Sequence, residues 1–184
     1  MRSRQEHIES LRDNREVYFK GQRVTDVTTH PEIRLAVDHA AIDYDMAEDP
    51  AWRALAVVEE NGQPYSRYFQ LPRTSGDLLE RSRLIEAATT LGGTLVVLVK
   101  EIGTDALFAL HLVAEATDQR MGTRYLERVR KFHDHVREND LALSVAQTDV
   151  KGDRGKSPLE QEHPDYYLHI VGETPEGIIV RGAK

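Results

Sequence analysis

Apolar positions recur at helical spacing through most of the chain and give way to short alternating runs towards its end. Residues 4–12 put Ile8 and Leu11 on one helical face. Residues 16–24 alternate loosely about Lys20-Gly21, which predicts a small hairpin. Thr29-His30-Pro31-Glu32 has the chemistry of a helix start, with a capping side chain and a proline in the first turn. Ile33, Val37, Ala40, Ala41 and Tyr44 then continue one helix to about Met46. From Asp49 to Arg73 the markers are Pro50, Asn61-Gly62, Pro64 and Pro72, which predict loop with at most short strands.

The strongest helical block follows. Thr74-Ser75-Gly76-Asp77 supplies a cap, and Leu78, Leu79, Leu84, Ile85, Ala88 and Leu91 mark a buried face. Gly92-Gly93 interrupts it. Thr104-Asp105 is placed to cap a further helix carrying Leu107, Leu110, His111, Ala114 and Ala116. After Gly122-Thr123, Tyr125, Val129, Phe132 and Val136 form a one-face stripe on a helix ending near Asn139-Asp140. Residues 141–146, 166–171 and 177–181 then read as strands.

The expected fold class is therefore mainly α with a C-terminal β segment. The pattern divides into a helical N-terminal domain over 1–140, with a hairpin near 16–24 and a loop-rich stretch at 49–73, and a β region over 141–184. Three strands without visible partners cannot bury a two-sided core. The last run also stops in mid-strand, so residues 141–184 are expected to open a larger β domain that the chain truncates.

Composition narrows the chemistry. The 184 residues are 40% hydrophobic and 30% charged, which fits a globular protein. A net charge of −7 argues against nucleic acid, since phosphate neutralisation wants a basic face. The longest apolar run, 95–99, is far below the ~20 residues of a membrane span, and the polar start has no signal-peptide core. The default address is cytoplasmic. With no cysteine the chain has no disulfide, thiolate zinc site or cysteine-ligated cluster.

Candidate chemistry concentrates in Gln147-Thr148-Asp149-Val150-Lys151-Gly152-Asp153-Arg154-Gly155. Lys151 and Arg154 could hold phosphate or a polarised ring oxygen, and Gly152 lets backbone N–H groups approach a ligand. Asp149 and Asp153 could accept from ribose hydroxyls or ring nitrogens. Asp-Lys-Gly-Asp is equally ordinary turn chemistry. His133 and His135 diverge by ~200° on a helix and share no ligand sphere, with Phe132 and Val136 holding the buried face. His30, His39 and His111 read as packed or hydrogen-bonded, and His163-Pro164-Asp165 as a turn. No nucleophile elbow, dinucleotide fingerprint or P-loop occurs.

Five motifs appear in order: Gly103-Thr104-Asp105-Ala106-Leu107, Asn139-Asp140-Leu141, Thr148-Asp149-Val150-Lys151-Gly152-Asp153-Arg154, His163-Pro164-Asp165-Tyr166-Tyr167-Leu168 and Gly177-Ile178-Ile179-Val180-Arg181-Gly182-Ala183-Lys184. Together they resemble the N-terminal part of the 4-hydroxyphenylacetate 3-hydroxylase family, which also contains 4-hydroxybutyryl-CoA dehydratase and vinylacetyl-CoA isomerase. The resemblance implies an acyl-CoA dehydrogenase-like arrangement: a helical domain, then the start of a middle β-barrel, with a tetramerising helical bundle beyond. It implies FAD, or FADH2 delivered by a flavin reductase, and a small-molecule substrate. It places flavin contacts on Gln147, Thr148, Asp149, Val150, Lys151, Gly152, Asp153 and Arg154.

The departures are also informative. The dehydratase branch carries two cluster cysteines before its Gly-x-Asp-Ala motif, and the matching positions here are Val97 and Glu101. The hydroxylase carries an Arg and a Tyr there and a His before the flavin loop; Ile102, Ala106 and Val145 stand in their places. None of these three hydrogen-bonds a phenol through its side chain. The leading expectation is the oxygenase component of a two-component aromatic monooxygenase, present as an N-terminal fragment. The alternatives are a CoA-thioester dehydratase or isomerase relative without the cluster cysteines, or an inactive fragment. No catalytic residue and no metal ligand is assigned.

Overall fold

The computed structural model describes residues 1–93 and 100–184, so the apolar run 95–99 and the position of Val97 lie outside the described residues. The chain divides into two compact units, Met1–Ser144 and Val145–Lys184.

The first unit is mainly helical. Helix α1 (Arg4–Ser10) starts at a reciprocal capping box, in which the Ser3 hydroxyl accepts from Glu6 N and the Glu6 carboxylate from Ser3 N. Strands β1 (Val17–Phe19) and β2 (Gln22–Val24) form the expected antiparallel hairpin about Lys20-Gly21. The single helix expected to Met46 is two, α2 (Ile33–Ala40) and α3 (Ile42–Glu48). The break falls at fully buried Ala41, whose carbonyl accepts from both Tyr44 N and Asp45 N, a tightening of the turn that redirects the chain.

The stretch read as loop holds more order than its prolines imply. A one-turn helix, α4 (Arg53–Ala56), runs into strands β3 (Val57–Glu60) and β4 (Gln63–Ser66), paired about Asn61-Gly62. Both turn residues have positive φ, the geometry that makes Asn-Gly a strong hairpin signal. A 3-10 turn at Arg67–Phe69 follows and buries Tyr68 and Phe69.

Helix α5 (Ser75–Gly92) has the expected cap, a Thr74/Asp77 box, and ends on left-handed Gly93. Its buried face is narrower than predicted: Arg81, Leu84 and Ala88 are inside, whereas Leu78, Leu79 and Leu91 are exposed. Helix α6 (Glu101–Met121) starts three residues before the expected cap. Thr104 is buried inside the helix and its hydroxyl donates back to the carbonyls of Lys100 and Glu101. Helix α7 (Tyr125–Glu138) corrects another expectation, because His133 and Val136 are its buried residues while Phe132 and Tyr125 are exposed.

Two apolar clusters hold this unit together. Met46, Ala56, Tyr68, Leu84 and Ala88 join α3, α4 and α5; Tyr65, Phe69, Leu107 and Val136 join β4, α6 and α7. Residues 141–144 complete the second cluster. The strand pattern spans 141–146, but none of these residues is paired; Leu141 and Leu143 pack against the helices instead. Leu143 presses so closely on α6 that a Cβ on Gly103 would lie 2.1 Å from the Leu143 Cβ. Burial on α6 and α7 supplies the order that a strand partner would have given.

The second unit begins with an extended loop and two 3-10 turns, Pro158–Glu160 and Pro164–Tyr166. An antiparallel hairpin follows, β5 (His169–Thr174) with β6 (Gly177–Arg181), interrupted by a bulge between Ile170 and Gly172. The strand expected over 166–171 starts later because Pro164 initiates a turn there.

Candidate functional site

Two polar assemblies stand out, one in each unit, and they differ in what they leave available. In the first unit, Lys100 and Asp140 form an ion pair with Nζ–Oδ1 at 2.7 Å and side chains only 0% and 1% exposed. Asp140 closes the end of α7 in a left-handed conformation, and its other oxygen accepts from Arg2 N at 3.1 Å. Its carbonyl accepts from the Tyr44 hydroxyl, and the Lys100 ammonium lies 3.9 Å from the Tyr44 ring centroid. The His7 ring stacks on the same tyrosine at 4.3 Å, and its pKa is pushed down to about 4, first by burial and then by Lys100.

Arg81 is the second buried cation. It donates to the Tyr68 and Glu101 carbonyls, to the Thr104 hydroxyl and to Asp105 at 2.7 Å, so it ties α5 and the 3-10 turn to the start of α6. Nearby Asp43 is buried beside the Tyr68 hydroxyl, and neither its carboxylate oxygens nor that hydroxyl makes a well-formed hydrogen bond. Burial raises the Asp43 pKa to about 7, against the pull of Lys100. On α6 and α7, His111 Nε2 meets His133 Nδ1 at 3.0 Å, and His133 Nε2 donates to the Phe69 carbonyl at 2.8 Å. His111 thus has the satisfied partner expected of it. These groups mostly spend their polarity on one another, as a framework does.

The loop of the second unit is arranged the other way. A cavity of about 610 Å³ is lined by Thr148, Asp149, Val150, Lys151, Gly152, Asp153 and Arg154, together with Lys156, Pro158, Gln161 and Tyr167. Seven of the eight residues read as ligand contacts therefore share one concavity. Gln147 does not line it; its carbonyl accepts from Lys184 Nζ at 3.3 Å. Lys184 also pairs with Asp149 at 2.7 Å, and Lys156 lies 3.9 Å from Asp153. Both carboxylates are thus matched, and Lys151 and Arg154 remain without an ion pair among the described residues.

The backbone adds donors. None of the N–H groups of residues 148–152 is taken by a hydrogen bond within the described residues. Two unmatched cations and a run of free N–H groups make a concavity suited to an anionic or carbonyl-rich ligand. At Gly152 the fit is close: a Cβ there would lie 2.2 Å from the Tyr167 hydroxyl and 2.6 Å from Gln161 Oε1. Glycine is required by this approach of two side chains, since any larger residue would displace them.

The partners that shape this loop escaped the sequence reading. Gln161, Tyr167 and Lys184 lie between five and 37 residues from the groups they meet, with no periodicity linking them. The three positions at which the expected phenol-binding side chains are replaced are found as follows. Ile102 is exposed and Ala106 half-buried on α6 in the first unit, and Val145 is exposed at the start of the second. Glu101 opens α6, its pKa raised by burial and by Asp105.

Fold and loop together define a mainly helical protein whose second unit carries a concave loop with untaken N–H groups and two cations outside ion pairs among the described residues. The chain belongs to the 4-hydroxyphenylacetate 3-hydroxylase N-terminal family, whose model matches residues 3–184. It is 34% identical over 184 residues to 4-hydroxybutyryl-CoA dehydratase/vinylacetyl-CoA Δ-isomerase of Clostridium aminobutyricum, covering 98% of this chain and 37% of that protein. It is 32% identical to the 4-hydroxyphenylacetate 3-monooxygenase oxygenase component of Thermus thermophilus, covering 97% of this chain and 36% of the relative.

Solved structures agree on the fold. The oxygenase component of 4-hydroxyphenylacetate 3-monooxygenase complexed with FAD and 4-hydroxyphenylacetate superposes with a TM-score of 0.85 at 28% identity, over 99% of this chain and 37% of that one. An oxygen-tolerant archaeal 4-hydroxybutyryl-CoA dehydratase from N. maritimus gives 0.86 at 32% identity, over 98% and 36%. The expected fold class, mainly α with a β segment and acyl-CoA dehydrogenase-like in its helical part, holds. The chain spans little more than a third of the length of these relatives. Among the described residues no helix is long and apolar enough to cross a membrane.

Proposed function

We propose that this chain is the N-terminal part of a flavin-dependent oxidoreductase, and that its 147–154 loop forms one wall of the flavin site. The observation that carries the reading is the second-unit cavity, lined by Lys151 and Arg154 and by residues 148–152, whose N–H groups take no hydrogen bond within the described residues. A relative of the same fold is complexed with FAD, which supports placing a flavin there. The donor set fits that group: a flavin presents ring carbonyls, ribityl hydroxyls and phosphates, all acceptors. When bound, reduced flavin supplies the electrons for oxygen chemistry.

The chain's own residues bind and orient. Lys151 and Arg154 hold acceptor oxygens by charge-assisted hydrogen bonds, and the N–H groups of 148–152 complete the edge. Thr148 adds a hydroxyl. Asp149 reaches a ligand only through what Lys184 leaves free. No general base is assigned.

In this reading the complete protein is the oxygenase component of a cytoplasmic two-component system. A separate reductase delivers FADH2, the substrate is a small aromatic molecule, and the subunits form a homotetramer. A specific observation favours a second reading: 34% identity to a CoA-thioester dehydratase and isomerase. The chain lacks cysteine altogether, so its own residues offer no thiolate ligands for a cluster. A third possibility is that this chain acts alone as an inactive interaction domain.

Anaerobic titration of the protein with FAD and with dithionite-reduced FAD tests the shared premise. Binding of either form is expected; failure of both removes the flavin reading. Reductase-coupled hydroxylation of phenols, set against conversion of short hydroxyacyl-CoA thioesters, separates the first two readings.

A further inference from the structure

Gln161 is half-buried and points its amide at the candidate ligand loop. Its Oε1 accepts from Asp153 N at 3.0 Å, and its Nε2 donates to the Asp153 carbonyl at 2.7 Å and the Lys156 carbonyl at 3.1 Å. One side chain thus meets both backbone groups of Asp153, as a neighbouring strand would. The same Oε1 lies against Gly152, where it and the Tyr167 hydroxyl fill the space a side chain would need.

The support behind Gln161 is itself fixed. It follows the 3-10 turn Pro158–Glu160, opened by a proline and closed by a capping box in which Glu160 accepts from Ser157 N at 2.9 Å and Ser157 Oγ at 2.7 Å. On the loop side, Asp153 Oδ1 accepts from Gly155 N at 2.9 Å, which sets the turn at Arg154. The chain from 152 to 156 is therefore fastened chiefly at its backbone. Lys151, just before the clamped segment, and Arg154, within it, both line the cavity and make no ion pair among the described residues.

We propose that Gln161 is the positioning residue of the ligand loop: its amide sets the backbone of 152–156 and so aims Lys151 and Arg154 into the cavity. The inference rests on the flavin reading for the identity of the ligand, and on the hydrogen bonds above for the clamp. Gln161 makes no ligand contact in this role. It acts through Asp153, and both faces of its amide are needed, one to accept and one to donate.

That requirement gives a test that separates positioning from bulk. Gln161→Glu keeps the shape and the acceptor but loses both donors, and it sets a carboxylate against two carbonyls. Protonating that carboxyl restores one donor beside one acceptor. Gln161→Ala removes both at every pH. FAD affinity of each variant is measured relative to the unchanged protein at the same pH, while backbone amide exchange reports on Asp153. At pH 8 both variants are expected to bind flavin about tenfold or more weakly. Gln161→Glu should recover as the pH falls through the carboxyl range, and Gln161→Ala should not. The Asp153 amide should exchange faster in Gln161→Ala with the rest of the chain unaltered.

Unchanged affinity in both variants, or a Gln161→Glu deficit that never recovers, overturns the positioning role while leaving the flavin reading in place. Loss of flavin binding in the unchanged protein overturns the flavin reading and this inference's ligand with it. Unaltered Asp153 exchange in Gln161→Ala overturns the clamp itself.

Discussion

At the scale of single residues, the two polar assemblies make opposite predictions. Arg154 faces the cavity with no partner among the described residues, so Arg154→Ala should leave folding alone and weaken flavin binding by about 1.5–3 kcal/mol, the range for a charged hydrogen bond. Isothermal titration checks this, and an unchanged affinity would remove Arg154 from the site. Asp43 and His7, by contrast, couple folding to pH. The folded pKa of Asp43 is raised from 3.8 to about 7, chiefly by burial; Lys100 and Tyr68 pull it down, and Asp140 and Glu101 push it up. Its contribution is therefore complete below its unfolded pKa and lost as the pH rises through 7, at about 1.4 kcal/mol per unit between the two values. His7 is lowered from 6.5 to about 4, so its contribution is present above 6.5 and lost as the pH falls through 4. Over the shared window the two slopes oppose; His111 and His133, also lowered by burial, act in the same sense as His7. Asp43→Asn removes the opposing Asp43 slope. Chemical denaturation should then show stability falling more steeply from pH 6.5 towards 4 than in the parent, and a variant with the parent's slope would refute the assignment. Neither behaviour is legible in the sequence, since Asp43 is not among the apolar positions Ile33, Val37, Ala40, Ala41 and Tyr44 and only the tertiary fold buries it.

At the scale of elements, local signals located most of the helices and misplaced some of their faces. Ser3/Glu6 and Thr74/Asp77 are short-range devices, and the Thr74/Asp77 cap and the Lys20-Gly21 hairpin were read correctly. Thr104 looked like a cap and is buried within α6, because Arg81 and the Lys100–Asp140 pair organise that helix start from outside it. Residues 141–144 looked like a strand and are packed on helices, because Leu141 and Leu143 find their burial there. The ion pair is the element-level test. Lys100→Met strands a fully buried carboxylate, and destabilisation by about 3–5 kcal/mol is expected. Pairing it with Asp140→Asn should recover part of that loss, because the amide carries no charge to strand, tolerates the left-handed backbone and still accepts from Arg2 N. Thermal unfolding of the two single variants and the double variant gives the coupling directly. Additive losses would show that the pair contributes no mutual stabilisation.

At the scale of the whole molecule, the β5–β6 hairpin exposes Ile170, Val171, Ile178, Ile179 and Val180 together. Two paired strands with apolar faces open to water, and no third strand on them among the described residues, are a surface for association. The 184-residue chain should therefore self-associate at micromolar concentration, and Ile178→Lys with Val180→Lys should reduce that without lowering the unfolding midpoint. Light scattering checks the first and calorimetry the second; a strictly monomeric parent would contradict the prediction. Sequence alone determined what depends on neighbours in the chain: helix periodicity, caps, hairpin turns and the motif order that marks the family. Composition leaves the 147–154 loop open between a turn and a ligand site, since Asp-Lys-Gly-Asp is ordinary turn chemistry. Only the tertiary structure decided that Asp149 is paired and how the loop backbone is held, by bringing Lys184 to Asp149 and Gln161 to the backbone of Asp153 across stretches with no period to announce them. The physical reason is range: backbone propensity and capping act over a few residues, whereas burial and ion pairing depend on what distant segments place against each side chain.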